Sequence, residues 1–405
     1  MSAIHIAILG LGTVGKGVLE TIETHQERLQ YLLGKPVKVE AVLVKNLDKH
    51  KLEDSSILLT DQFDDILQLA KLDVVIDAIV GQEPAFTCAK KSIERGSHVI
   101  TANKEMFAHH GKELLELAKK HQVSIGFEAT VAGGIPVIQT LRKLLNVNRI
   151  TKIEGIVNGT SNFILTNMRE KGLPFADVLK EAQEKGFAEA DPTNDIEGFD
   201  AYFKALVLSN VIFGKLPEPE HIVREGISHI TREQIQTASS LGLKYKHIAK
   251  LEKQGGAIKC NVEPVLVTDA HPFYSVEGVQ NALSIDADIV GNITLLGPGA
   301  GKLPTASAII EDLPHLYEKQ PLKFFDDKLN SGEQQVKTGQ WLLFSKDLER
   351  SVLEPYFAEI LNVSEEAIYV RGLTESMNKW EQDYPVVKMV PIEGEFSLVK
   401  ELLLV

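Results

Sequence analysis

An apolar run from Ile4 to Leu9 stops at Gly10-Leu11-Gly12-Thr13-Val14-Gly15, and a helical pattern follows to about Leu33. Strand, G-x-G-x-x-G and helix in immediate succession leave few folds open. The first glycine permits a tight turn, the second lets a pyrophosphate approach the backbone, and the third lets the helix pack on its strand. The helix N-terminus then faces the phosphates with its unpaired amides. At the start of a chain this pattern predicts the first unit of a doubly wound parallel sheet that binds a dinucleotide.

The next segments continue that sheet. Val37 to Val44 reads as the second strand, where an acidic residue at the end would take ribose hydroxyls and a cation would take a 2′-phosphate. Here the strand runs into Val44-Lys45-Asn46, with Lys49 and Lys51 close behind and Asp48 beyond the expected place, so Lys45 favours NADPH over NADH. Asp73 to Val80 and Ser97 to Ile100 are further buried strands, with a helix from about Pro84 to Arg95 between them. The second runs into Thr101-Ala102-Asn103-Lys104-Glu105, placing Lys104 at a strand's carboxyl end, where ligands of such sheets bind. Val123 to Phe127 is the next strand, and Glu128 to Pro136 turns into a helix reaching about Asn146. Adjacent glycines at 133 and 134 expose carbonyl oxygens there, so the segment reads as a helix-entry turn or as oxygens shared with Glu128 around a hard monovalent cation.

Composition narrows the partners. A net charge of −13 over 405 residues speaks against nucleic acid or an anionic membrane as partner. The two cysteines, Cys88 and Cys260, are far apart and in no metal-binding spacing, which suits a reducing compartment. The N-terminus goes straight into a strand, without a basic region or cleavage site. No apolar run approaches the roughly 18 residues of a membrane helix. The expectation is a soluble, cytoplasmic protein acting on a small molecule.

From Ile150 the character changes. A strand over Ile153 to Val157 leads to Asn158-Gly159-Thr160-Ser161-Asn162, which caps a helix to about Lys171, and Pro174 to Lys185 is a second helix. The stretch from Gly186 to Lys204 then carries five carboxylates, Glu189, Asp191, Asp195, Glu197 and Asp200, before Lys204. Pro192 and Gly198 interrupt regular helix there. Beyond Asp200 the residues AYFKALVLSNVIF are apolar enough for a buried helix, with Asp200 and Lys204 one turn apart on one face. A solvated acidic loop would have the same composition. The apolar run after Lys204 points instead to an ammonium held beside carboxylates at the mouth of a buried helix, an arrangement that can orient a proton donor.

Strands over Lys244 to Leu251, Ala257 to Val267, Ala282 to Asp286 and Ile289 to Leu295 predict an open sheet faced by helices. Gly297 to Gly301 opens a helix to about Asp312, which suggests a return to the nucleotide part. The polar stretch 318–339 reads as a linker. Trp341 to Phe344, Leu348 to Leu361, Ala367 to Val370, Val386 to Pro391 and Phe396 to Leu404 read as a small β-α-β-β-α module. The predicted organisation is 1–130 for the nucleotide, completed by 300–317, then 131–299 for catalysis and dimerisation, and finally a module over 340–405.

Six motifs in order, GLGTVGKG, TANKE, FEATVAGGIP, NGTSNFIL, GFAEADPTNDIEGFDAYFK and GPGAGKLPTASA, resemble the homoserine dehydrogenase family over about residues 3 to 312. The resemblance implies reduction of aspartate β-semialdehyde to homoserine with NAD(P)H, on the route to threonine and methionine. It implies Lys204 as proton donor, Asp200 as its orienting partner, and Lys104 between substrate and nicotinamide. Glu189 and Asp195 would bind the substrate's amino group and Thr160 would meet the substrate. Gly10, Leu11, Gly12, Thr13, Val14, Ile79 and Gly301 would contact the cofactor. Glu128 and the carbonyls of Val131, Gly133 and Ile135 would hold sodium. A homodimer or homotetramer is implied as well. After residue 312 the likeness weakens. Many bacterial members end in an ACT regulatory module whose ligand loop has an Asp-x-Pro-Gly-like turn. Here that place reads Ser345-Lys346-Asp347-Leu348-Glu349-Arg350, with neither Pro nor Gly, so the fold expectation is an ACT-like module without an evident threonine loop.

A zwitterionic aldehyde needs a hydride source, a proton for the developing alkoxide, and carboxylates for its ammonium. Lys204 and Lys104 meet the second need, Glu189 and Asp195 the third. Two rivals compete: a semialdehyde dehydrogenase acylated on cysteine, and an NADP-sensing or scaffolding protein without turnover. The first requires a cysteine in a turn, whereas Cys88 falls in a predicted helix and Cys260 in a predicted strand.

Overall fold

The computed structural model describes residues 3–254, 256–318, 337–345 and 348–396. Its first sheet is parallel, in the order β3-β2-β1-β4-β5-β6, formed by β1 (Ile4–Leu9), β2 (Val37–Leu43), β3 (Leu58–Thr60), β4 (Val74–Asp77), β5 (His98–Thr101) and β6 (Ile125–Gly126). Alternation along β1 explains why both faces are covered. Ile4, Ile6 and Ile8 point to one side, against α1 (Thr13–Thr24), α2 (Gln26–Leu33) and the late helix α12 (Lys302–His315). Ala7 and Leu9 point to the other, against Ile66 of α3 (Phe63–Leu67) and Cys88 of α4 (Ala85–Arg95). The single long helix expected to reach Leu33 is two helices that break at His25, where ψ opens to 23°. Gly17 of α1 sits so close to the Lys302 backbone that a Cβ there would lie 2.5 Å from its carbonyl oxygen. That contact pins the start of α12 beside the glycine-rich loop.

The second sheet is mixed. Its path runs β12 (Gly291–Pro298), β11 (Gln280–Ala287), β7 (Ile150–Ile156), β9 (Lys244–Gln254) and β10 (Ala257–Val267). Helix α10 (Phe199–Phe213) buries Ala201, Ala205 and Leu208 in the cluster that holds Ile153, Leu251 and Leu283 of that sheet. Helix α5 (Lys104–His121) packs on α10, with His109 edge-on to Phe203 at 5.5 Å between ring centres. Since α5 follows β5, this packing joins the two sheets' layers across one cleft.

The C-terminal residues continue the second sheet. The module is β13 (Thr338–Phe344), α13 (Arg350–Leu353), β14 (Glu359–Ser364), β15 (Ala367–Leu373), α14 (Thr374–Asp383) and β16 (Lys388–Glu393), in the strand order β14-β15-β13-β16. The helix expected over Leu348 to Leu361 is a single turn followed by a strand, and α14 was not anticipated. β13 also begins two residues earlier than the expected boundary. β16 pairs in parallel with the end of β10, Leu266 with Ile392 and Val267 with Glu393. The linker core at 319–336 and the expected segment beyond Phe396 lie outside the described residues.

Candidate active site

Three helix N-termini meet in the cleft. Asn103 caps α5, its Oδ1 accepting from Met106 N at 3.0 Å. Asn158 caps α7 (Gly159–Lys171) in the same way, accepting from Ser161 N at 2.8 Å. Gly198, at φ +78°, leads into α10 without a side-chain cap. Each such end carries partial positive charge from its unpaired amides, so the cleft suits anionic groups.

Asp200, in the first turn of α10, is 6% exposed and ties the site together. Its Oδ2 lies 2.6 Å from Lys204 Nζ and 2.9 Å from Asn158 Nδ2, and its Oδ1 lies 3.0 Å from Lys104 Nζ. The i,i+4 spacing thus places Lys204 beside Asp200, while the α5–α10 packing supplies Lys104 from a distant part of the sequence. Burial alone would raise the Asp200 carboxyl, but the ammonium groups of Lys104 and Lys204, aided by hydrogen bonds, hold it well below the usual carboxylate range. The Asp200 charge in turn raises the Lys104 ammonium against the effect of burial, with smaller help from Asp195 and Glu189. Lys204 also donates to Val157 O at 2.6 Å. An ammonium has three donors; with two engaged, one is left for the cleft. The Lys204 side chain is 12% exposed and that of Lys104 42%, so Lys104 is the more accessible to solvent.

Asn158 also donates to Asp195 Oδ1 at 2.7 Å. Burial and the Asp200 charge raise the Asp195 carboxyl, and the Asn158 hydrogen bond opposes them. Sequence reasoning treated Asn158 only as a cap; its bridging of two carboxylates needs a contact across 37 and 42 residues. Glu189 is exposed at the rim, and the Thr160 hydroxyl donates to Phe187 O at 2.6 Å. The acidic segment and α7 therefore line the same cleft as the two lysines.

The glycine-rich loop fits a dinucleotide. A Cβ on Gly15 would come within 1.9 Å of Gly10 O, so the turn closes only with glycine there. Gly12 and Thr13 are exposed at the α1 N-terminus, which has no side-chain cap, leaving its amides for a phosphate. Leu11 is buried and Val14 half-buried on the inner side of this loop. Lys45 is exposed just past β2, which ends at Leu43 rather than Val44. Ile79 lies in the turn after β4, and Gly301 precedes α12.

At the helix-entry turn, Glu128 is 2% exposed and caps the next helix, α6 (Val137–Gln139), through Ile138 N at 2.8 Å and Gln139 N at 2.7 Å. Burial and the charge of Asp312 push its carboxyl up to about 7. Ala132 and Gly133 both have φ of +55°, which turns the local carbonyls out of regular register. Ile135 O accepts from Val137 N, and among the described residues no donor reaches Val131 O or Gly133 O. A buried carboxylate with nearby unpaired carbonyls is a hard-oxygen set that suits a hard cation. Among the described residues no group of three or more His, Cys, Asp or Glu side chains is arranged for a metal, so any ion here would rest largely on backbone oxygens.

Both cysteines are buried, Cys88 in α4 and Cys260 in β10, and burial pushes both thiols up to about 12. Neither can serve as a thiolate nucleophile near neutral pH. No helix among the described residues is long and apolar enough to cross a membrane.

The family model for the homoserine dehydrogenase NAD-binding domain matches residues 10–128, and that for homoserine dehydrogenase matches 136–313. The homoserine dehydrogenase of Bacillus subtilis is 43% identical over 314 residues, 77% of this chain and 72% of that protein. A crystal structure of a homoserine dehydrogenase from Thiobacillus denitrificans is similar with a TM-score of 0.85 at 34% identity, over 97% of this chain and 98% of that one. A hyperthermophilic archaeal homoserine dehydrogenase in complex with NADPH is similar with a TM-score of 0.68 at 29% identity, over 78% of this chain and 98% of that one.

Proposed function

Given that the chain belongs to the homoserine dehydrogenase family, an NAD(P)-dependent oxidoreductase that reduces L-aspartate 4-semialdehyde to L-homoserine, we propose that Lys204, Asp200 and Lys104 carry the chemistry. The observation behind this assignment is the Lys104–Asp200–Lys204 cluster at the cleft between the two sheets. When bound, the reduced nicotinamide supplies the hydride. Lys204, with one N–H left for the cleft, donates a proton to the carbonyl oxygen as the alkoxide develops, while Lys104 stabilises the same charge from the cofactor side. Asp200 holds both ammonium groups in place. Glu189 and Asp195 receive the substrate ammonium, and Thr160, at the α7 N-terminus, meets the substrate. An assay of NADPH oxidation with the semialdehyde tests the reading. Absence of turnover in the folded protein would favour the sensing or scaffolding rival.

For the coenzyme, Gly10, Leu11, Gly12, Thr13, Val14 and Gly15 would cradle the pyrophosphate, with Ile79, Lys104 and Gly301 beside the rest of the molecule. Lys45, with no acid beside it, supports NADPH over NADH. Lys45→Asp should shift kcat/KM toward NADH, because it removes a charge-assisted contact worth about 1.5–3 kcal/mol. A strong NADH preference in the wild type would refute this reading of the loop.

Sodium would be held by Glu128 with the carbonyls of Val131, Gly133 and Ile135, a structural role beside the cleft. Exchanging sodium for choline at constant ionic strength should lower Tm in the wild type and leave the Glu128→Gln protein unmoved. Equal sodium responses in the two proteins would end the proposal.

The organisation that goes with this reading has 1–130 and 300–317 around the nucleotide, which the seating of α12 on α1 supports. Residues 131–299 serve catalysis and dimerisation, and 340–405 form an ACT-like module, supported by its β-α-β-β-α-β order. A cytoplasmic homodimer or homotetramer completes it; a monomer by light scattering would remove the last element.

A further inference from the structure

The glycine-rich loop and the lysine cluster are joined through one carboxamide that neither sequence pattern nor the proposed roles account for. Asp77, at the end of β4, is wholly buried. Its Oδ1 accepts from Ile79 N at 3.0 Å and its Oδ2 from the Thr101 hydroxyl at 2.8 Å. Thr101 Oγ1 accepts from Asn103 N at 2.9 Å, which fixes Asn103 at the end of β5. The Asn103 side chain then makes three hydrogen bonds, using both its N–H donors and its oxygen. Its Oδ1 caps α5, and its Nδ2 donates to Ile79 O at 2.9 Å and to Gly81 O at 2.6 Å.

Those two carbonyls belong to the turn that abuts the glycine-rich loop, since a Cβ on Gly10 would fall 2.9 Å from Ala78 O. With the turn's carbonyls drawn inward to Asn103, its middle residue, Val80, projects outward with 92% exposure. An apolar side chain left this open beside a dinucleotide loop is a surface against which a cofactor ring can pack. The residue following Asn103 is Lys104, whose ammonium contacts Asp200 at 3.0 Å. A single side chain therefore sets both the height of the Ile79–Gly81 turn and the starting point of the helix that presents Lys104.

We propose that Asn103 is a positioning residue that couples seating of the nicotinamide cofactor to the placement of Lys104 against Asp200. A cofactor that presses on Val80 reaches α5 through the Nδ2 hydrogen bonds, and linkage requires that correct placement of Lys104 favour the cofactor by the same factor. The inference rests on the proposed cofactor site and on Lys104 as part of the catalytic cluster.

The test separates the cap from the tether. Asn103→Ser keeps an N-cap acceptor but is too short to reach the turn, and Asn103→Asp keeps the cap but has no N–H to donate. NADPH affinity is read by fluorescence titration, turnover by the semialdehyde assay, and fold by thermal melting. Both variants should stay folded, bind NADPH about 10-fold more weakly and lose about 10-fold in kcat. Combined with Lys104→Met, the effects on NADPH affinity should be markedly less than additive. Wild-type affinity and kcat in either variant would overturn the inference, because a residue that only caps a helix predicts that result. Additive effects with Lys104→Met would overturn it too. Wild-type protein that fails to bind NADPH would refute the cofactor-site reading itself, and this inference with it.

Discussion

Lys204→Ala should cut kcat for semialdehyde reduction by about 10²–10⁴, the contribution of a positioned general acid, with the fold and NADPH affinity retained. The fold should survive because alanine is the best helix former and the side chain ends in the cleft rather than in the core of α10. Cofactor affinity should survive because the glycine-rich loop and the Ile79–Gly81 turn make no contact with α10 through Lys204, whose partners are Asp200 and Val157. Kinetics and NADPH titration of the same preparation decide the matter. A near-normal kcat would remove Lys204 from the mechanism and leave Lys104, the other ammonium on Asp200, as the leading donor.

Asp200→Asn should be nearly as damaging, and by a different route. The carboxylate is the common counter-charge of two ammonium groups and also the acceptor for Asn158. An asparagine can retain some of the hydrogen bonds but leaves the two cations facing each other without their common counter-charge. Removing one partner of a buried pair costs about 3–5 kcal/mol, and the partial exposure of Lys104 puts the expectation at the lower end. The protein should therefore melt at a lower temperature and lose about 10²-fold or more in kcat. Unchanged Tm with full activity would show that Asp200 is not the anchor of the cluster.

Much of this arrangement could be read without coordinates, and the reasons differ by region. The N-terminal unit was legible because its signal is local: an apolar strand, glycines at fixed offsets, then a helix. The pairing of Asp200 with Lys204 was legible because helical periodicity alone brings them together. Lys104 reaching Asp200 was not legible from spacing, since it depends on how α5 crosses α10; only family resemblance placed the two in one site. Asn103 and Asn158 were hidden for another reason. Both look like ordinary helix caps, and a cap's remaining hydrogen-bonding groups can point anywhere the fold allows.

The C-terminal segment departs from the expected elements where two local signals conflict. Leu348, Val352, Leu353, Phe357, Ile360 and Leu361 have a nearly helical spacing, but Pro355 has no N–H to continue the ladder, and α13 stops at Leu353 with Glu354 as its C-cap. The chain turns there and re-emerges as β14 from Glu359. The α1–α2 break at His25 has neither glycine nor proline to announce it. Helix α11 (Arg232–Ser240) is not among the expected elements, although Thr231 and Gln234 form a reciprocal capping box at its start.

The pairing of β16 with β10 bears on how a role for the C-terminal module can be tested. Tyr245 and Leu266 of the catalytic sheet share one apolar cluster with Leu342, Tyr369, Val390 and Ile392 of the C-terminal strands, and Lys250 meets Glu393 at 2.8 Å. Cutting the chain before β13 would leave a wet hydrophobic scar on the catalytic half and a raw backbone rim along the end of β10, open to any passing strand. Such a stump would be sticky before it was deregulated. Loss of an effector response after truncation would therefore say little about signalling, and the informative variants are those that alter the module's surface while leaving β16 clasped to its neighbour.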